Sequence, residues 1–316
     1  MKKEVIFLLI FLFISSCAQK EAEEMSVTSE TLEEPVVETP EETTPEEPET
    51  LLGALEPEAE EPETYDAVTQ ATPVSPNLIA HWKFEGNAKD SINDHDGTIF
   101  GDAIFDTGKK GKAISFDGVD DYVEFSQSTV DEFGSLSKGT IAFWFKFESL
   151  LDTQTVMPIF YFGNDKAKTT QEDIYIIEIG HFDESSFDAV ATPDPNNKKI
   201  YSTWMNNNRD PFLCFDSNKN LEEDKWHHYA VVVGADGNTG YLNGVELTNR
   251  RYNFGNKNDK SFLNSISAKE RLILGYGRSS YLLSPEFIYF KGTLDDFRVY
   301  DKALSTDEVK ELASLS

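Results

Sequence analysis

Few residues in this chain have the type and spacing to do chemistry. Oxygen ligands gather in two places: Glu85, Asn87, Asp90 and Asp96 follow the first strand-like run, and Asp295 lies in the last one. Carboxylate and amide oxygens suit a hard cation such as Ca²⁺. The same residue types also build turns and accept backbone N–H groups, so both readings stand. Asp295 is the sharper case. Over Thr293–Tyr300 the residues alternate, with Asp295, Phe297 and Val299 on one face and Leu294, Asp296, Arg298 and Tyr300 on the other. Phe297 and Val299 mark the first face as the core side, and a carboxylate there needs a partner.

Catalytic sets are weaker. Along Glu172–Glu178 the alternate positions read Glu, Ile, Ile, Glu. The two acids stand roughly 20 Å apart by strand rise, beyond even the inverting glycosidase separation of about 6.5–9.5 Å. No Gly-x-Ser-x-Gly, His-Glu-x-x-His or phosphate-loop pattern is present. His227 and His228 are adjacent, so on a strand their rings point to opposite faces and cannot share one metal. The expectation is therefore no enzyme. Binding has better candidates. Trp144 and Lys146 face away from the apolar side of their strand. Tyr201, Trp204, Asn206 and Arg209 mix aromatic rings, an amide and a cation, as do Tyr276 and Arg278. Stacking rings beside planar polar groups fit a glycan, against the alternative of packing in a core or a second sheet.

Composition bounds the elements that position these residues. The 316-residue chain carries a formal net charge of −29. Between Lys20 and Pro76 lie 18 acidic residues, one basic residue and eight of the thirteen prolines. Such a segment cannot bury enough apolar surface to offset its ordering entropy, and its charges and prolines keep it extended. Acidity on this scale argues against nucleic acid as a partner. Of two cysteines, Cys214 lies among large apolar residues and reads as a buried, inert thiol. Residues 1–16 are two lysines followed by an apolar run too short to span a membrane, the form of an export signal.

From Asn77 onward the composition is globular. Short alternating runs at Leu78–Phe84, Ala113–Gly118, Tyr122–Phe125, Thr140–Phe147, Met157–Phe162, Ile174–Ile179, Ile200–Met205, Leu213–Phe215, Trp226–Val233, Tyr241–Leu247 and Arg271–Gly275 read as strands. Asn243-Gly244 between apolar runs signals a hairpin. Ser305-Thr-Asp-Glu308 is a capping box that opens one C-terminal helix. Many short strands without a βαβ rhythm predict an all-β fold, a β-sandwich or jelly roll, behind a disordered acidic linker.

Two resemblances add to this reading. Ile14-Ser15-Ser16-Cys17 resembles a bacterial lipobox, which implies lipidation of Cys17. Ala18 is not aspartate, so the inner-membrane retention rule of some bacterial lipoproteins does not apply, and Gln19–Glu24 is similar to the acidic surface-export signal of Bacteroidetes lipoproteins. The domains implied are a signal peptide over 1–16, a lipidated tether over 17–76 and a folded domain over 77–316. Further along, His81–Ser91, Asp96-Gly97-Thr98, Ala113–Val123, Trp226–Val231 and Gly292–Tyr300 with Ala303-Leu304-Ser305 resemble, in order, the laminin-G-like, concanavalin-A-like jelly-roll domains. That resemblance implies a two-sheet antiparallel jelly-roll sandwich with its terminal strands side by side, binding of glycans or proteins, and a structural calcium, for which Glu85, Asn87, Asp90, Asp96 and Asp295 are the candidate ligands. The combined expectation is a non-catalytic binding lipoprotein of the outer membrane, displayed at the cell surface and held there through its lipid anchor. Its partner would be a polysaccharide or, alternatively, a cell-surface protein.

Overall fold

In a computed structural model the alternating runs become two eight-stranded antiparallel sheets packed face to face. The structure describes residues 77–149, 156–164, 173–180, 194, 196–206, 210–278 and 287–314. The export signal, Cys17, the acidic tether, Glu172 and Arg209 lie outside the described residues.

The strands are β1 (Leu78–Trp82), β2 (Gly97–Phe100), β3 (Ile104–Thr107), β4 (Lys112–Asp117), β5 (Tyr122–Phe125), β6 (Gly139–Phe147), β7 (Val156–Gly163), β8 (Ile174–Gly180) and β9 (Lys199–Asn206). They continue as β10 (Asp210–Asp216), β11 (His227–Gly234), β12 (Gly237–Leu242), β13 (Val245–Glu246), β14 (Arg251–Phe254), β15 (Arg271–Leu274), β16 (Tyr276–Arg278), β17 (Phe287–Tyr289) and β18 (Lys291–Tyr300). Two helices, α1 (Gln127–Phe133) and α2 (Thr306–Ser314), complete the order. The first sheet runs β13-β12-β11-β6-β18-β4-β3, with β1 also paired to β18. The second runs β14-β10-β9-β8-β7-β15-β5-β2, and β16 and β17 form a separate hairpin.

Alternation explains which side chains meet between the sheets. On β6, Ile141, Phe143, Phe145 and Phe147 point inward, and Phe143 stacks on Phe297 with centroids 4.9 Å apart. Burying each such ring stabilises the fold by roughly 1.5–3 kcal/mol. Trp82 enters the same core beside Phe125 and donates its indole N–H to the His95 carbonyl at 2.7 Å. Asn243 and Gly244 take the positive φ values, 52° and 75°, that a two-residue hairpin demands. The capping box forms as the sequence predicts: the Ser305 amide donates to Glu308 Oε2 at 2.8 Å.

Of the register shifts that break the alternation, two bear on the first and last strands. One, between Leu78 and Ala80, leaves Ala80, Trp82 and Phe84 in the core and turns Leu78 outward against the packing of α2. The other lies at Asp295–Asp296 in β18, where Asp296 has φ 51°. The extra residue lets Leu294, Phe297 and Val299 all face the core. Asp295 pairs with the outward-facing Trp144, so it lies on the outer face of the first sheet rather than on the core side.

Helix α1, absent from the sequence reading, is short and capped by Ser126, whose hydroxyl accepts the Thr129 N–H. It supplies Glu132 to His95, whose other ring nitrogen meets Asp90 at 2.9 Å. Burial disfavours ionisation of Asp90. The bond from His95 and the backbone N–H groups of His81, Ile92 and Asn93 outweigh it and hold the carboxyl below its ordinary range. We predict that Asp90→Ala, which strands those donors, destabilises the domain by about 3 kcal/mol. Thermal unfolding at neutral pH checks this; a shift under 2 °C would contradict the assigned role.

Candidate functional site

The outer face of β18 carries the first cluster. Lys110 N–H donates to Asp295 Oδ2 at 2.9 Å, and Lys112 N–H donates to Glu85 Oε2 at 3.0 Å, so two carboxylates grip one β3–β4 turn. Asp296 takes His81 Nε2–H at 2.6 Å and lies 3.1 Å from Arg298 Nη2. Burial pushes Asp295 up to about 6. For Asp296 the bond from His81 and the charge of Arg298 overcome burial and hold the carboxyl at about 2. His228, buried beside Trp144 and near Arg298, is pushed down to about 3 and is neutral. Asp295 Oδ1 is buried without a hydrogen-bond partner.

The expected calcium ligands are only partly brought together. Asp90 spends its oxygens on His95 and three backbone N–H groups, Asp96 accepts the Asp90 N–H, and Asn87 accepts the Lys89 N–H. These three close the β1–β2 turn on itself. Glu85 and Asp295 alone reach the same turn, and the orphaned Asp295 oxygen is the one that fits a cation.

The expected glycan ligands are scattered. Trp204 is wholly buried between the sheets, stacked on Tyr175 at 4.0 Å and 7°, because its position on β9 faces inward with Ile200. Tyr201 faces outward yet is wholly buried against Val156 and Cys214. Trp144 faces outward but is buried under Lys109, whose Nζ lies 4.8 Å from the ring centroid. These three correct the sequence reading: Trp204 faces the core, and for Tyr201 and Trp144 an outward direction does not make a side chain accessible when other groups cover the sheet. Lys146 lies over Trp226, and Asn206 is exposed at the end of β9. Arg278 is in β16, its side chain outside the described residues. The buried Cys214 thiol lies 3.2 Å from Thr203 Oγ1, in keeping with an inert role.

Tyr276 leads to a feature the sequence did not reveal. On the outer face of the second sheet Phe100 stacks on its cross-strand partner Tyr122, with centroids 4.6 Å apart and planes 5° from parallel. Tyr122 meets Tyr276 at 5.0 Å, and Tyr276 stacks on Tyr289 at 4.7 Å. Phe100 is on the edge strand and is 38% exposed; the other three rings are half-buried. Beside the row Arg271 is paired with Glu124 at 2.7 Å and lies over the Tyr276 ring. Strand-by-strand periodicity could not find this row, because its members come from four strands of two sheets. A cross-strand pair of acids was equally hidden. Glu178 and Asp216 flank Tyr201 on one face, two strands or roughly 10 Å apart. Both are wholly buried, and Arg251 and Asn253 bind Asp216 at 2.7 and 3.2 Å.

Two antiparallel sheets packed face to face define a jelly-roll type of sandwich. The chain belongs to the concanavalin A-like lectin/glucanases superfamily, whose sequence profile matches residues 117–310, more than half of its length. No curated protein matches it. Among solved structures it is similar to domain 4 of AbnA, a GH43 extracellular arabinanase from Geobacillus stearothermophilus in complex with arabinotriose. The identity is 21%, over 75% of this chain and 98% of that one, with a TM-score of 0.49. It is also similar to a structure from work on the ganglioside-dependent cell entry of botulinum neurotoxin type C, at 13% identity over 75% and 50% of the two chains and a TM-score of 0.51. A third is the botulinum neurotoxin serotype C1 binding domain, at 12% identity over 75% and 52% and a TM-score of 0.51. The chain spans about half the length of the two neurotoxin structures, and the likeness is one of fold.

The Asp295 pKa gives a testable sign. The folded value, about 6, lies above the ordinary 3.8, so the protonated form is favoured by folding. That contribution is full below the unfolded value and is lost as pH rises through 6. Asp296 behaves oppositely: its contribution is present above 3.8 and is lost as pH falls toward 2. Asp295→Asn keeps an oxygen for Lys110 and removes the buried charge. In chelator at about pH 7.5 it should stabilise the domain by up to about 3 kcal/mol, and the gain should vanish near pH 4. Denaturant melts at both pH values test this; an equal gain at both would refute it.

Proposed function

We propose that this protein is a non-catalytic carbohydrate-binding lipoprotein, tethered to the outer membrane through Cys17 and displaying its sandwich at the cell surface. The observation that carries the binding reading is the row Phe100–Tyr122–Tyr276–Tyr289. Aromatic rings that are partly solvent-exposed and held rigidly by a sheet suit the apolar faces of sugar rings, and little conformational entropy is lost on binding. Membership of a superfamily named for lectins supports it, as does a shared fold with a structure from a neurotoxin whose cell entry depends on two ganglioside molecules. The non-catalytic reading rests on Glu178 and Asp216, whose buried side chains present no carboxylate to solvent. The lipid anchor rests on the sequence of residues 1–24. The alternative of a protein-binding adhesin or envelope scaffold draws on Ile104 and Val245, which are 61% and 68% exposed on edge strands of the first sheet.

Phe100→Ala should weaken binding to a polysaccharide ligand about tenfold while leaving the melting temperature within a few degrees. Affinity electrophoresis against a panel of soluble polysaccharides provides the measurement. Unchanged mobility of the variant on every polymer that retards the parent would remove the row from the site. A structural Ca²⁺ on Glu85 and Asp295 belongs to the same proposal. Calcium should then raise the melting temperature over chelator and should lose that effect in Asp295→Asn; identical melting in both media would refute it.

A further inference from the structure

Resting on the reading of the aromatic row as a glycan platform, we infer that this platform takes neutral glycans and rejects anionic ones. Charge at one end of the row carries the inference. Phe100 is followed two residues later by Asp102, and Tyr122 is preceded two residues earlier by Asp120. The β2–β3 and β4–β5 turns that carry these acids lie against each other: a Cβ on Gly101, whose φ is +77°, would meet the Asp120 carbonyl oxygen at 2.9 Å. Asp102, Asp117 and Asp120 are exposed and bring a carboxylate oxygen each within 4.8 Å of one another. The charge of Asp120 reaches Tyr289 at the far side of the row, where it adds to burial in raising the phenol above its ordinary range. Asp121 lies beneath the three; burial and the charges of Asp117 and Asp102 raise it.

Among the described side chains, the cations near the platform are already engaged. Arg271 is paired with Glu124, and Lys291, whose stem packs at Gly118, is paired with Glu148 at 3.1 Å. Among the described residues, the ring row is thus bordered by three carboxylates on one side and by a neutral ion pair on the other. The acids lie two residues from Phe100 and Tyr122, roughly 7 Å by strand rise, so a carboxylate or sulfate on a sugar stacked there would approach like charge. At partly exposed sites each like-charge contact is modest, but three act together and are screened by salt. The discrimination expected is on the order of tenfold or more at low ionic strength.

The test uses the full chain and matched polymers: hydroxyethyl-cellulose against carboxymethyl-cellulose, dextran against carboxymethyl-dextran, and neutral arabinan, each at low and high salt and with calcium or chelator. The expected result is retardation by at least one neutral polymer, at least tenfold weaker retardation by a carboxylated partner at low salt, and a gap that narrows in high salt. The double variant Asp102→Asn, Asp120→Asn should narrow the same gap at low salt. Equal or tighter binding of the carboxylated polymer would overturn the inference, as would carboxylate binding that appears only with calcium, since the trio would then be bridging through a cation. The Phe100→Ala variant separates the two levels. If it binds the neutral polymer as the parent does, the platform itself is wrong; if it loses that binding while charge discrimination is absent in the parent, only the charge selection is wrong. A panel on which nothing binds overturns both.

Discussion

The bulge at Asp295–Asp296 is the constraint on which the two ends of this domain depend. Strand β18 pairs along one edge with β6, and along the other first with β4 and then with β1. The bulge falls where the second partner changes. One extra residue keeps Leu294, Phe297 and Val299 all in the core and delivers two consecutive carboxylates to the outer face. Asp295 then secures the β3–β4 turn and Asp296 binds His81 of β1, so the first strand, the last strand and a distant hairpin close on one another. Both carboxylates are engaged by groups of the fold itself, and their opposite shifts follow from their different partners.

The proposed binding surface falls on the second sheet. Its central strands β7–β10 are not open: Tyr161, Ile176, Tyr201, Thr203 and Cys214 face outward and are buried. The β16–β17 hairpin contributes to this cover, with Gly277 close against Tyr161 and Pro158. Accessible aromatic surface therefore moves to the side of the sheet where β2 and β5 meet the hairpin. The platform proposed here is a consequence of that covering, as is the sealing of Glu178 and Asp216.

Much of this was legible along the chain. The strand pattern, the Asn243-Gly244 turn, the capping box of α2 and the inward faces of β6 all follow from residue type and period, while the adjacency of the first and last strands was implied by the family resemblance. Local order is dictated by neighbours in sequence, and a period of two or a cap needs only a few residues to declare itself. Asp90 and Asp96 were legible as turn residues, and their oxygens do go to N–H groups.

What one strand cannot encode is its neighbour. A single inserted residue reverses a face, so Asp295 and Leu78 could not be placed without knowing where the ladder slips. Trp204 lies in the more polar stretch and Trp144 in the more apolar one, yet both are buried, the first between the sheets and the second under Lys109. Phe100, Tyr122, Tyr276 and Tyr289 span 190 residues of chain and become one row only when β2, β5 and the hairpin assemble. The sequence by itself determined the class of fold, the acidic composition of residues 20–76 and the residue types available for binding, because period and composition are local properties. Only the tertiary structure decided which rings meet solvent and which acids border them, because exposure and proximity belong to strand partners that the chain brings together from far apart.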